Sequence, residues 1–303
     1  MLLDFYGLRE QPFSPTPDPR YLFLSATHKE AATSLYRGIT AGSGFLALIA
    51  RPGMGKTSLL FQLLNGLKDG ARTAFLFQTQ CNERELMQYV LHDLGIDSAD
   101  ASLASMHARL NDVLVEEADA GRRVVVVIDE AQNLSEPVLE TVRMLSNFET
   151  PHAKLLQVVL AGQPPLAAKL RRPCLAQLLQ RISVLCHLRP LSALEVVQFI
   201  NHRLAVAGHA GSPIFPHASL HLIAHRSRGI PRLINDICFG CLAQGFAMER
   251  RTIDTRIVEK VLSELSLESL MNRVLAPSRP PVSKQARGWA VLPALLRSLR
   301  FLP

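Results

Sequence analysis

The chain has few cysteines and few aromatic residues. Five cysteines in 303 residues, an odd number at scattered positions, argue against a disulfide framework and favour a reducing compartment. Aromatic residues make up 6% of the sequence, whereas hydrophobic residues together reach 48%. Aliphatic side chains therefore carry the apolar content, which is typical of α/β proteins with buried parallel strands. A chain of this length has room for one large domain or two modest ones.

Long apolar runs are also missing. No run reaches the roughly 18 residues of a membrane-spanning helix, and the N-terminus lacks the features of a secretory signal. We therefore expect a cytoplasmic protein. Cys238 and Cys241 have the spacing of half a zinc site, but no second pair accompanies them. Such a pair on an apolar helix is more often two buried small hydrophobic residues, so no structural metal is predicted.

Acidic residues are absent from the last part of the chain. Residues 271–303 contain six basic residues, which account for +6 of the net charge of +7. Residues 1–270 are thus nearly neutral, which argues against extensive coating of nucleic acid. Residues 288–303 combine leucines with two arginines and could lie on an acidic membrane or dock on a partner. A tail that packs on its own domain is the alternative.

A glycine-containing turn follows the first apolar run. Residues 50–57 read ARPGMGKT, between the run 44–49 and an apolar segment with helical recurrence. In such a turn, backbone N–H groups hold phosphate oxygens, the lysine reaches the outer phosphates and the hydroxyl binds Mg²⁺. Ala50 replaces the usual first glycine, and its methyl group is compatible with the turn if φ stays negative. We assign nucleotide binding to Pro52, Gly53, Met54, Gly55, Lys56, Thr57 and Ser58.

Two carboxylates end a second apolar run, Val124–Ile128. Asp129 can hold the metal together with Thr57, and Glu130 can deprotonate a water for attack on the γ-phosphoryl group. An ordinary glycine turn is the alternative for residues 50–57, and the carboxylate pair argues against it. Together the two motifs predict a P-loop core that hydrolyses a nucleotide.

Strand and helix patterns alternate up to Pro190. This alternation predicts an α/β domain over residues 41–190, with a parallel sheet covered by helices on both faces. Prolines favour an extended conformation from Phe5 to Tyr21, so residues 1–40 are assigned to an extended segment and a first helix. The predicted strands are the run 44–49, Thr73–Gln78, Val124–Asp129, Leu155–Gly162 and Ser183–Leu188.

The strand patterns stop after Pro190. Ser192 and Glu195 form a capping box that opens a helix, and three more helical patterns follow, 216–228, 231–248 and 252–264. These patterns predict a small all-helical domain over residues 191–268. Residues 269–303 are assigned to a basic linker with several prolines and an amphipathic tail.

A P-loop α/β domain followed by a four-helix lid resembles the AAA+ ATPases. The resemblance implies that ATP and Mg²⁺ are the cofactors and that Gln163 and Arg232 sense the γ-phosphate. It also implies that Arg181, just before the last strand, reaches into a neighbouring subunit's site of a homo-oligomer. An arginine supplied in this way contributes about 10³–10⁵ in rate, although a solvated surface charge is the alternative for Arg181. Asn82 could act as a switch on Glu130, but a helix N-cap explains it equally well.

Several segments are similar to the ExeA-type, or general secretion pathway A, ATPases. The resemblance implies a ring or filament that remodels a protein partner in secretion or envelope assembly, with peripheral contact to the inner membrane through the tail. Duplex DNA and a transposase are alternative partners, and a nucleotide-gated scaffold with little turnover is a third possibility. The segment 17–28 is expected over the adenine, with His28 and Tyr21 as packing residues. The similar segments are residues 5–8, 12–13, 17–22, 28–31, 156–163, 178–182 and 229–235.

Overall fold

The computed structural model describes residues 1–14, 18–98, 101–150 and 153–275. Its contacts divide the chain into two compact units, residues 1–261 and 262–303. The predicted α/β part and most of the predicted helical part both fall within the first unit. The predicted linker 277–281 and amphipathic tail 288–303 lie outside the described residues, so their proposed contacts stay predictions.

Five parallel strands form one sheet in the order β2-β3-β4-β1-β5. The register pairs Ile49 with Gly162 and Ile128 with Leu160, so strands β1, β3 and β4 end at the same edge. Chain order reverses between β1 and β4, and α/β folds bind ligands at the carboxyl edge beside such a reversal. The strands are β1 Phe45–Ile49, β2 Ala71–Leu76, β3 Arg123–Ile128, β4 Leu156–Gly162 and β5 Ile182–His187.

Strands β1, β3 and β4 are buried on both faces, and their successive side chains point in opposite directions into two cores. In β3, Val124, Val126 and Ile128 belong to a core with helices α4–α8, whereas Val125 and Val127 belong to a core with α2 and α3. The predicted fold class is therefore confirmed. The helices are α1 Leu2–Tyr6, α2 Ala26–Thr40, α3 Lys56–Leu67, α4 Glu83–Asp93, α5 Leu103–Asp119, α6 Glu136–Met144, α7 Pro164–Leu170, α8 Ala176–Arg181, α9 Ala193–Val206, α10 His217–Ser227, α11 Pro231–Ala247 and α12 Thr255–Leu275.

Helices α9 to α12 follow the last strand, as the sequence predicts. The Ser192 side chain accepts from the Glu195 backbone N–H, and the Glu195 carboxylate accepts from the Ser192 backbone N–H, which is the predicted capping box. Asn82 and Glu85 form the same arrangement at the start of α4. Both cysteines of the 238–241 pair are buried on α11. Among the described helices, none has the length and apolar character needed to cross a membrane.

The extended conformation predicted from Phe5 to Tyr21 is wrong at both ends. Residues Leu2–Tyr6 form helix α1, which Gly7 ends in the left-handed conformation with φ of 64°. A short 3₁₀ turn, Pro19–Tyr21, is capped by the Asp18 side chain. Packing explains the helix: the rings of Phe5 and Phe246 lie 5.4 Å apart. Burial against α11 stabilises a turn of helix that is too short to be stable alone.

Candidate nucleotide-binding site

The phosphate loop connects the end of β1 to the first turn of α3. Gly53 and Gly55 have φ of 75° and 84°, a region that residues with a Cβ adopt only at a cost. At Gly53 a Cβ would also lie 2.7 Å from the Cβ of Arg232. Described non-glycine residues with positive φ do not include Ala50, so its φ is negative, as the turn requires. This geometry explains why the loop tolerates Ala50 but needs glycine at 53.

The lysine and hydroxyl of the loop meet the carboxylate pair. Thr57 Oγ1 donates to Asp129 Oδ2 at 2.6 Å, across 72 positions of the chain. Lys56 Nζ lies 3.4 Å from Glu130 Oε1. Lys56 and Asp129 are 5% and 2% exposed, so their charges are held away from bulk water. The two motifs therefore form one site at the carboxyl edge of the sheet.

Two glutamines hold the Glu130 carboxylate. Gln132 Nε2 donates to Glu130 Oε2 at 2.5 Å, and Gln163 Nε2 donates to the same oxygen at 2.9 Å. Burial raises the pKa of Glu130, but these hydrogen bonds and the Lys56 ammonium outweigh it, so the pKa lies below its ordinary value. Glu130 itself has φ of 52°, a left-handed conformation that costs about 1–3 kcal/mol and is found at functional sites.

Gln132 is a functional candidate that sequence reasoning missed. Its Oε1 accepts from the backbone N–H of Gln163 at 2.9 Å, so it connects the Glu130 carboxylate to the residue after β4. The only available signal was its place two residues after Glu130, at the end of a strand predicted to reach this edge.

A cavity of about 450 Å³ lies over the phosphate loop. This volume falls within the range of small-molecule sites. The wall combines the loop with the segment before α2 and with side chains of α9 and α11. Its residues are Ser14, Asp18, Tyr21, Leu22, Phe23, His28, Pro52, Gly53, Met54, Gly55, Lys56, Thr57, Ser58, Glu130, Phe199, Arg203, Pro231, Arg232, Asn235 and Asp236.

Arg232 reaches the cavity from the first turn of α11. Pro231 occupies the first turn as well, where its fixed φ suits a helix start. The backbone N–H of Arg232 donates to Gly53 O at 3.2 Å, which ties α11 to the phosphate loop. Gly229 packs against Leu191, whose O would lie 2.1 Å from a Cβ at this position. The predicted second-sensor motif therefore lies beside the loop.

His28 is more than the packing residue that the sequence predicts. Its ring is 2% exposed, and Nε2 lies 2.9 Å from Met54 O in the phosphate loop. Because a carbonyl only accepts, Nε2 carries the proton, and Nδ1 then accepts from Ser25 Oγ at 2.6 Å. Burial lowers the pKa of His28, which favours the neutral ring. His28 thus supports the loop from the N-terminal segment.

Arg203 is a second residue without a sequence signal. It is 7% exposed, and its guanidinium carbon lies 4.8 Å from the centroid of the Tyr21 ring and 5.6 Å from that of Phe199. Its side chain also donates to Pro12 O and Ser14 O. These cation–π and hydrogen-bond contacts fix the N-terminal segment against α9 at the cavity wall. Several residues between 18 and 28 line this wall, and their place over the adenine stays a prediction.

Arg181 lies apart from this cavity. Its Nη1 donates to Asn147 Oδ1 at 3.0 Å and to Arg143 O at 3.2 Å within the same chain. Of the described residues, those that line the cavity do not include Arg181. Its role in a neighbouring subunit's site therefore stays a prediction.

Comparison with known families identifies the class. Residues 17–170 match the model of the AAA domain, which is about half of the chain. The chain therefore belongs to the AAA domain family. With its sheet order, phosphate loop and carboxylate pair, it is a P-loop NTPase of the AAA+ class.

Within this class the chain is similar to general secretion pathway protein A of Aeromonas hydrophila. The two are 42% identical over 248 residues, which cover 82% of this chain and 45% of the relative. The chain thus spans less than half the length of that relative. The resemblance to the ExeA type, noted from the sequence, is confirmed.

Solved structures share the fold at low sequence identity. Cdc6p of Pyrobaculum aerophilum matches with a TM-score of 0.65 and 20% identity, over 86% of this chain and 73% of that chain. The ORC2 protein of Aeropyrum pernix matches with a TM-score of 0.64 and 16% identity, over 96% of this chain and 89% of that chain. The RuvB branch migration motor of Thermotoga maritima matches with a TM-score of 0.56 and 18% identity, over 95% of this chain and 86% of that chain. At these identities the matches show the fold alone.

Proposed function

We propose that this AAA+ protein binds and hydrolyses ATP with Mg²⁺ as an oligomer, and that it uses the cycle to remodel a partner. The observation that carries the proposal is the hydrogen bond of 2.6 Å between Thr57 and Asp129. It joins the phosphate loop to the carboxylate pair at the edge of the sheet where nucleotide sites form.

The residues present fit a magnesium ion. The Thr57 hydroxyl and the Asp129 carboxylate supply two hard oxygen ligands that already lie at hydrogen-bond distance. Mg²⁺ in nucleotide sites takes its other ligands from water and phosphate oxygens, so two protein ligands suffice. When bound, the ion neutralises charge on the phosphates. Lys56 and the backbone N–H groups of residues 53–58 then hold the phosphate oxygens.

Glu130 is the proposed base, because its carboxylate lies at the cavity beside Lys56 and its depressed pKa keeps it ionised near neutral pH. Gln163 and Arg232 are proposed to sense the γ-phosphate, the first through its contact with Glu130 and the second from the cavity wall. Arg181 is proposed to act in the site of a neighbouring subunit, so a monomer is expected to be nearly inactive.

Two substitutions test the chemistry. Lys56→Ala removes the phosphate contact and is expected to abolish nucleotide binding, whereas Glu130→Gln is expected to bind ATP without turnover. Removing a general base costs about 10²–10⁴ in rate. Binding of a fluorescent ATP analogue and release of phosphate are measured for both. If a pure Glu130→Gln assembly hydrolysed ATP at the wild-type rate, the assigned base would be wrong.

A mixing experiment tests the oligomer. Arg181→Ala and Lys56→Ala proteins are each expected to be inactive alone. In a mixture, the intact phosphate loop of an Arg181→Ala subunit can meet Arg181 of a Lys56→Ala neighbour, so part of the activity is expected to return. Phosphate release is followed as the ratio of the two proteins varies. A mixture as inactive as its components would argue against action in trans.

For the partner, we propose a component of a secretion or envelope assembly, because of the similarity to general secretion pathway protein A. The near-neutral charge of residues 1–270 argues against duplex DNA, since phosphate contacts need many basic side chains. ATPase stimulation by anionic liposomes and by duplex DNA is compared across a salt series. Stimulation by DNA alone, with a steep loss in salt, would favour the transposition alternative. A single-turnover assay separates both from a scaffold with little turnover.

A further inference from the structure

The side chain of Gln132 joins the proposed base to the residue after β4. We propose that Gln132 is a positioning residue for ATP hydrolysis, which holds Glu130 so that Oε1 is the oxygen that takes the proton of the attacking water. The inference rests on the proposed ATPase function and identifies the residue that orients its base.

The orientation of the Gln132 amide follows from its partners. A backbone N–H only donates, so the amide atom of Gln132 that faces Gln163 N at 2.9 Å is the oxygen. Its NH₂ group therefore points to the Glu130 carboxylate, which only accepts when ionised. Exchanging the two amide atoms would leave a donor against a donor and an acceptor against an acceptor.

Gln132 is itself held by contacts outside the cavity. Lys169 Nζ donates to Gln132 O at 2.6 Å and to Leu134 O at 2.7 Å, which fixes the 3₁₀ turn Ala131–Asn133. At Gly162, a Cβ would lie 2.8 Å from Gln132 Oε1, so glycine makes room for the side chain. The described residues of the cavity wall do not include Gln132. It therefore acts on the reaction through Glu130.

The two carboxylate oxygens of Glu130 have different surroundings. Oε2 accepts from both Gln132 and Gln163, whereas Oε1 faces Lys56 Nζ at 3.4 Å beside the phosphate loop. In hydrolysis, the water oxygen bonds to the γ-phosphorus and one water proton moves to Oε1. The bond from the γ-phosphorus to the bridging oxygen breaks, and its electron pair stays with the departing diphosphate. The donors on Oε2 leave Oε1 as the oxygen turned toward this water.

Gln132→Met tests the inference, because methionine keeps the length of the side chain and loses both hydrogen bonds. The value of kcat is expected to fall about 10–100-fold, as when the partner that orients a reacting group is lost. KM and the affinities for Mg-ADP and for a non-hydrolysable Mg-ATP analogue are expected to stay within about twofold, since Gln132 does not line the cavity.

Gln157→Met is the matched control. Gln157 lies on β4, the strand that leads to the site. Its amide also makes two hydrogen bonds, since Oε1 accepts from Gly44 N and Nε2 donates to Lys154 O. These contacts lie at the opposite edge of the sheet. Its kcat per folded molecule is expected to equal that of the wild type.

Two further variants keep the outcome decisive. In a Glu130→Gln background, Gln132→Met is expected to cause no further loss of the residual rate, because it acts through Glu130. Gln132→Glu keeps an acceptor for Gln163 N but loses the donor to Glu130. Its kcat is expected to fall at least as far as that of Gln132→Met. This variant therefore provides the test if Gln132→Met does not fold.

Wild-type kcat in Gln132→Glu or in folded Gln132→Met would overturn the inference, and so would equal losses in kcat and nucleotide affinity. The ATPase proposal fails separately, if the wild type releases no phosphate or if Glu130→Gln matches it.

Discussion

The two ends of strand β4 carry glutamines with different surroundings. Gln157, near the amino end, is fully buried, and both ends of its amide are paired with backbone groups of Gly44 and Lys154. Gln163, just after the carboxyl end, directs its amide at the Glu130 carboxylate. Gln157 thus pairs backbone groups at the amino edge of the sheet, whereas Gln163 lies at the proposed nucleotide site. The two edges of the parallel sheet thus give one residue type different partners, and we propose a role in the chemistry for Gln163 alone.

The largest expected effect separates these two glutamines. Gln163→Met removes a donor at the proposed γ-phosphate position while its backbone N–H still holds Gln132, and kcat is expected to fall about 100-fold. Gln157→Met is expected to leave kcat intact and to lower the free energy of unfolding by about 1–3 kcal/mol, because buried backbone groups lose their partners. Steady-state phosphate release and urea unfolding are measured for both. Equal losses of turnover would remove the distinction between the edges.

A smaller effect is expected from two glycines that flank β1, Gly44 before the strand and Gly53 in the phosphate loop after it. Gly53→Ala is expected to weaken ATP binding at least about tenfold, because the left-handed conformation costs a non-glycine residue about 1–2 kcal/mol and the collision with Arg232 adds to it. Gly44 has φ of 80°, yet the nearest atom to its Cβ would be a carbon of Lys154 at 3.7 Å. Gly44→Ala is therefore expected to lose stability but to bind the nucleotide analogue normally. Unchanged binding in Gly53→Ala would contradict this geometry.

The smallest expected effect concerns pH. Because burial depresses the pKa of His28, the stability it contributes is present above the ordinary histidine value of about 6.5 and is lost as pH falls toward the folded value. The nearby Glu195 carboxylate opposes the shift but does not reverse it. The contribution of His28 to the slope of the unfolding free energy against pH stays below about 1.4 kcal/mol per pH unit. His28→Gln keeps a donor for Met54 O and is expected to unfold with a flatter pH dependence. The midpoint of urea unfolding is followed between pH 5 and 7.5, and identical profiles would exclude His28 as the source.

Much of this architecture was predictable because it depends on patterns among residues that are close in the sequence. Strands buried on both faces produce apolar runs, and each of the five predicted strands lies within two residues of an observed one. The phosphate loop and the carboxylate pair were recognisable by spacing, and the parallel sheet brings their carboxyl ends to one edge. Ser192 with Glu195 predicted a helix start because a capping box satisfies its own backbone N–H groups.

The remaining features depend on contacts between distant segments. His28 and Met54 are adjacent only after α2 has packed against the sheet, and Arg203 meets Pro12 across 191 positions. Helix α1 is too short to be predicted from periodicity, and its packing against α11 decides its conformation. Gln132 follows a recognised motif, but its role depends on the backbone N–H of Gln163, which no spacing in the sequence announces.

Gly229 has a mechanical consequence. Its backbone lies so close to Leu191 that only glycine fits, and Gly229 O accepts from Leu191 N at 2.9 Å. This hydrogen bond joins the turn before α11 to the segment before α9. The backbone N–H of Arg232 also donates to Gly53 O at 3.2 Å. The phosphate loop and the starts of both helices are therefore joined through backbone hydrogen bonds, so we expect the two helices to follow a shift of the loop together.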